Sequence, residues 1–173
     1  GTVNTTTTST AQTRVDVAVS ISGVTIQNGF TLRQIIAAAG PAVTRRTTAD
    51  AAGIDVHSSN HVFTASLTLT DSALVGNTSG GNASAAGGLS VRFNDSVMTT
   101  LNRVTIAGNT NSGFAGGADI EGDATIVDAT FSGNSGGQVG ALALGGGSVA
   151  DVDYSTFADN ISTRTGGGTG GIF

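Results

Sequence analysis

Residues 126–134 read Ile-Val-Asp-Ala-Thr-Phe-Ser-Gly-Asn, and variants of this stretch recur along the chain. Counted back from the closing Asn, each copy has an apolar residue at minus eight, a small or β-branched residue at minus five and a large apolar residue at minus three. Four copies fit without gaps: Leu69, Ser72, Leu74, Asn77; Leu101, Val104, Ile106, Asn109; Ile126, Ala129, Phe131, Asn134; and Val152, Ser155, Phe157, Asn160. A fifth, Ile21, Val24, Ile26, Asn28, fits with one residue missing before the Asn. Minus eight, minus five and minus three are expected to point inward. The odd step from minus eight to minus five requires a bend, because a straight strand keeps one face only at even spacing.

A second element follows each copy, a Gly and an apolar residue opening an alternating run: Gly53-Ile54-Asp55-Val56, Gly88-Leu89-Ser90-Val91, Gly117-Ala118-Asp119-Ile120, Gly140-Ala141-Leu142-Ala143 and Gly171-Ile172-Phe173. The order never changes. The last three Asn residues lie 25 and 26 positions apart, a period at which self-similarity marks a solenoid whose repeats bury their apolar faces only by stacking. The expected fold is all-β, a single domain over 1–173 built as a polygonal parallel β-helix of about five coils. Each coil then has a strand from the Gly-apolar element, a polar turn, the template strand and a Gly-rich return: 78–87, 110–116, 135–139 and 161–170.

Upstream, residues 1–13 are Thr-rich and aperiodic, suited to an N-terminal strand or a tail. Arg14 to Ser22 alternates, with Val15, Val17, Val19 and Ile21 on one face. The stretch 30–50 breaks the pattern. Within it, Thr31 to Ala39 has helical composition, Thr31 as N-cap and Gly40-Pro41 as stop, so a short helix or irregular insertion capping the open stack is expected.

Composition narrows the function classes. The chain has 27 Gly, one Pro and no Cys, so neither disulfides nor thiolate metal sites contribute and stability must come from stacking. Regularly spaced Val, Ile, Leu and Phe set it apart from disordered Gly-rich sequences. A net charge of −5 argues against a nucleic-acid partner. No apolar run reaches the length of a transmembrane helix. The abrupt start at Gly1 reads as a mature or excised segment.

Among polar residues, the recurring Asn is the strongest signal. Asn28, Asn77, Asn109, Asn134 and Asn160 at equivalent corners can hydrogen-bond along the stack, and Asn tolerates the left-handed conformation of a tight corner. Asn77 and Asn160 also sit in glycosylation sequons, as do Asn4, Asn82 and Asn94. Asp119, Glu121 and Asp123 alternate along one strand and would face outward, where help from Asp151, Asp153 or backbone carbonyls could complete a Ca²⁺ site. Thr105, Thr130 and Thr156, with Thr25 above them, form an outward column. One Thr per strand is an ordinary ladder and not the paired rows of an ice-binding face. His57 and His61 fall in a turn, and Asp151, Asp153 and Arg164 have the residue types, without evident convergence, of a polysaccharide lyase or hydrolase.

Phe131-Ser132-Gly133-Asn134 and Phe157-Ala158-Asp159-Asn160 match an FxxN motif, and Gly116-Gly117-Ala118 and Gly170-Gly171-Ile172 match GGA(I/L/V). From about Val19 to Phe173 the chain resembles the repeats of polymorphic outer membrane proteins. The resemblance implies a right-handed parallel β-helix, displayed at the cell surface or secreted, with structural or adhesive duty and no enzymatic activity. The expected role is a building block of an extracellular fibre, sheath or adhesin. A strand edge at Ile172 and Phe173 would invite another copy, head to tail, into a filament. A polysaccharide-acting enzyme and a module binding glycans or host surfaces are the alternatives.

Overall fold

The computed structural model describes residues 17–29, 51–57, 65–80, 86–92, 97–145 and 147–173. The 1–13 segment, the 30–50 insertion and His61 lie outside them. Five coils follow one another. The first holds β1 (Val17–Ser22), β2 (Thr25–Gln27) and β3 (Ile54–His57); the second holds β4 (Ala65–Thr70), β5 (Ala73–Val75), β6 (Thr78–Ser79) and β7 (Leu89–Arg92). The third has β8 (Val97–Asn102), β9 (Thr105–Ala107), β10 (Thr110–Asn111) and β11 (Ala118–Ile120). The fourth has β12 (Asp123–Val127), β13 (Thr130–Ser132), β14 (Ser135–Gly136) and β15 (Leu142–Leu144); the fifth has β16 (Ala150–Asp153), β17 (Thr156–Ala158) and β18 (Ile161–Ser162).

Equivalent strands pair in parallel, so the coils build four faces: β1-β4-β8-β12-β16, β2-β5-β9-β13-β17, β6-β10-β14-β18 and β3-β7-β11-β15. Every described residue in a helix or strand is in a strand. The fold is a parallel β-helix. The third face was missed by the sequence reading, which placed its residues in the return loops. Two-residue strands such as Thr78–Ser79 and Ser135–Gly136 are too short to show alternation.

Alternation within the longer strands is what fills the interior. Along the first face, Leu67, Thr99 and Ala124 share one inward file, and Leu69, Leu101 and Ile126 the next. All six are buried. On the second face, Ile26, Leu74, Ile106, Phe131 and Phe157 stack in register, and the rings of Phe131 and Phe157 lie 4.8 Å apart and nearly parallel. On the fourth face, Leu89, Ala118 and Leu142 form another file. The template's inward positions are therefore as expected, with Ser72, Val104 and Ala129 also buried, except that Val24 of the first copy is exposed. Like stacks on like because strands spaced about 4.8 Å apart bring identical offsets into contact.

Each coil turns twice through left-handed backbone. Six residues before the template Asn stand Asp71, Arg103, Asp128 and Tyr154, and one residue before it stand Gly76, Gly108, Gly133 and Asp159, all with φ between 49° and 62°. These corners supply the bend that the odd spacing requires. They also correct one expectation: Asn77, Asn109, Asn134 and Asn160 do not adopt the left-handed conformation, which the preceding residue carries, and of the recurring Asn residues only Asn28 does. Only short polar residues and Gly enter this region at low cost, so Arg103 and Tyr154 are held there by the strands on either side.

Among the inward files of the first face one side chain breaks the apolar pattern. The Thr99 hydroxyl, between Leu67 and Ala124, is fully buried and has no hydrogen-bond partner. Burying an unsatisfied hydroxyl costs about 1–3 kcal/mol. Thr99→Val keeps the β-branched shape and removes that penalty, so chemical denaturation should show the variant more stable by about 1 kcal/mol.

Candidate functional site: the asparagine file and the outer faces

Asn77, Asn109 and Asn134 are each 0 % exposed, and Asn160 is half-buried. Parallel register places them one above another, at the junction of the second and third faces. The bonding repeats from coil to coil. The backbone N–H of Asn109 donates to Asn134 Oδ1 at 3.0 Å, and Asn109 Nδ2 donates both to the same oxygen at 3.0 Å and to the Leu74 carbonyl at 2.9 Å. Asn77 makes the equivalent bonds to Asn109 Oδ1 and the Ile26 carbonyl. Asn134 does so with Asn160 Oδ1 and the Ile106 carbonyl. All three amides thus use both their protons, and Asn109 and Asn134 also use both acceptor sites, as a buried polar group requires.

The first coil departs from this file. Ile26 pairs with Leu74 and Gln27 with Val75, so Asn28 stands beside Gly76 and not beside Asn77. Asn28 takes the left-handed corner, φ 53°. Gly29 occupies the file and donates its N–H to Asn77 Oδ1 at 2.8 Å. The missing residue in the first template copy was the signal: the file there has slipped onto Gly29. A side chain at Gly29 has no room, since a Cβ would lie 2.3 Å from the Ala52 carbonyl.

The Gly-apolar element is the other half of this construction. A Cβ on Gly88 would meet the Gly117 carbonyl at 2.7 Å and Asn109 Nδ2 at 3.1 Å. Gly is therefore required where the fourth face runs against the amide file. Leu142 pairs with Ala118, so Ala141, not Gly140, is the counterpart of Gly117. Gly140 answers to Gly116, one residue earlier than the alignment by motif.

The carboxylates do not gather as the alternation suggested. Asp119 is buried on β11, Glu121 lies beyond its end, and Asp123 opens β12 past Gly122, whose φ of 103° redirects the chain. Arg92 stands between the first two, 3.8 Å from Asp119 and 3.3 Å from Glu121. Asp123 instead accepts the Val149 N–H at 3.0 Å. Among the described residues no group of three or more His, Asp or Glu side chains is arranged to hold a metal ion. Asp151 and Asp153 lie on β16, whereas Arg164 follows β18 and donates to Gln138 Oε1 at 3.0 Å, so these three do not converge. His57 closes β3 opposite Arg92, in a strand and not in a turn.

Asn111 carries a role that the sequence reading overlooked. Buried on β10, it donates to Ser79 Oγ at 2.6 Å and accepts from the N–H groups of Gly113 and Phe114. This fixes the return loop, and Asn followed two residues later by Gly was its available signal. The Asn77 sequon is not an acceptor in the folded protein, because its amide is buried and fully bonded.

Two outer rows complete the geometry. On the first face Ser20, Thr68, Thr100 and Thr125 form one outward file, and Ser22, Thr70, Asn102 and Val127 form the next. On the second face Thr105, Thr130 and Thr156 are in register, as expected, but Ala73 separates them from Thr25. Between the faces, Arg103 holds Asp71 through two bonds of 2.5 and 2.9 Å. The protein is thus a parallel β-helix organised by an internal file of amides. Comparison with protein-family models, curated proteins and solved structures finds no match to the chain.

Two measurements check this geometry. Asn109→Ala removes the side-chain donor to the Leu74 carbonyl and leaves the amides on either side each short of a partner, and should cost about 2–4 kcal/mol in denaturant unfolding, several times the effect at an exposed Asn. Asp71 has its pKa lowered by the Arg103 hydrogen bond, so its contribution is present above the ordinary aspartate range and is lost as pH falls through it. The pKa of Arg103 is raised by the same bond and remains far above this window. The difference in Tm between wild type and Asp71→Asn should therefore shrink as pH falls below about 4, and added salt should reduce it at neutral pH.

Proposed function

We propose that this chain is a non-enzymatic structural or adhesive segment of an extracellular fibre, sheath or adhesin, extended by strand pairing at its coil ends. The observation that carries the reading is the polarity of the amide file. Every interior Asn finds an acceptor in the coil that follows it. At Asn160 only the bond to the Phe131 carbonyl is made by Nδ2, and no described residue accepts its second proton.

The strands of that coil repeat the situation. β16, β17 and β18 each pair on one side, and Ile161, Ile172 and Phe173 are exposed beside them, Phe173 at 72 %. An edge of this kind is a template for a further strand. A further coil meets that edge, whether it belongs to the same polypeptide or to a second copy; a copy arriving head to tail makes a heterologous contact, and such contacts propagate as open filaments. The FxxN and GGA(I/L/V) order supports the same reading through its resemblance to surface-displayed repeats.

Negative-stain microscopy of the purified 173-residue chain tests it. Filaments or long rods are expected, and Ile161→Asp with Phe173→Asp should convert them to short monomers without changing the circular dichroism spectrum, since charge at an edge opposes pairing. Uniform monomeric rods from the wild-type chain would overturn the reading.

A further inference from the structure

The first face holds a second regular array, on the outside of the helix. Ser20, Thr68, Thr100 and Thr125 follow one another on four successive coils. Ser22 and Thr70 stand two residues further along their strands. The side chains point outward because Leu67, Leu69 and Leu101 between and beside them are buried. Parallel pairing fixes the repeat across coils at about 4.8 Å, and two residues of strand give about 6.6 Å along it. β-Branching leaves Thr little freedom at χ1, so the positions of the hydroxyl and methyl groups follow those of the backbone.

Three properties define what fits this grid. No described residue hydrogen-bonds the hydroxyls of Thr68, Thr100 or Thr125, so their donors and acceptors must be met from outside. Both files are uncharged over four coils, although the chain carries a net −5. Ionised groups enter these rows only in the fifth coil, at Asp151 and Asp153. No aromatic side chain stands in either file, which removes the usual platform for a sugar ring. A neutral partner with its own fixed array of donors and acceptors is complementary to this surface; a polyelectrolyte is not.

We infer that this face binds the surface of ice, with the four-coil file of Ser20, Thr68, Thr100 and Thr125, and beside it the Ser22 and Thr70 hydroxyls of the first two coils, ordering the contact water and the Thr methyl groups resting against it. The single Thr column on the second face is interrupted at Ala73 and takes no part. The inference is independent of coil-end association: a monomer would bind as a filament would.

The test is uptake of the purified chain into slowly grown ice, together with inhibition of ice recrystallisation. The wild-type chain is expected to enter the ice and to slow coarsening. Thr100→Lys, in the middle of the grid, should abolish both, while Thr105→Lys on the second face leaves them unchanged. Circular dichroism near freezing confirms that each variant is folded, and Thr100→Val separates loss of the hydroxyl from loss of fold. Exclusion of the wild-type chain from ice, equal losses in the Thr100 and Thr105 variants, or sedimentation with crystalline cellulose without uptake into ice would each overturn the inference.

Discussion

A buried primary amide must satisfy two donors and an acceptor with two sites, and in this protein the coils on either side supply what each amide needs. Asn77, Asn109 and Asn134 are held by one another and by the carbonyl three residues before the file in the preceding coil. Apolar files would tolerate a slip, because Leu over Ile is nearly as good as Leu over Leu. The amides tolerate none: displacement by one residue leaves buried protons unpaired. The apolar interior supplies most of the driving force for stacking, and the amide file decides which stacking is allowed.

Other features follow from that constraint. The backbone of the fourth face passes so close to the amides that Gly88 and Gly117 leave no space for a Cβ. The residue before each Asn must turn left-handed to aim the amide inward, and Gly or a short polar residue performs that turn. With the interior register fixed, the outer rows are fixed too. Hydroxyls on the first face, the Arg103–Asp71 pair at the corner and Thr105 over Thr130 on the second face are ordered because the amides behind them are. Return loops are free to vary in length, since they need only bring the chain back to the same starting point.

Much of this was legible in the sequence. The offsets of minus eight, minus five and minus three have large consequences for burial, and the repeats agree on them, so the inward files and the bend could be read directly. What escaped was local. The two-residue strands of the third face have no periodicity to detect. Asn28 looked like a file member because its motif matched, yet chain length before it, not residue type, sets the register, and Gly29 holds the place. Gly140 misled in the same way, since two adjacent small residues can each be aligned with a motif glycine. The carboxylates at 119, 121 and 123 alternate on paper, but Gly122 ends the strand between them. The hydroxyl file of the first face lies nine residues before the amide file, outside the stretch that defined the repeat, and its shorter neighbour, Ser22 and Thr70, lies seven before it, at an offset the repeat does not hold constant.

Hydrogen exchange of the side-chain amides, followed by NMR on the folded chain, measures the central claim directly. The account predicts that the Nδ2 protons of Asn77, Asn109 and Asn134 exchange as slowly as the most protected backbone amides of the core, with cross-relaxation linking each to the next along the file and with Asn28 exchanging at the rate of a surface residue. Exchange of all four at solvent-exposed rates, without contacts linking Asn77 to Asn109 and Asn109 to Asn134, would contradict it.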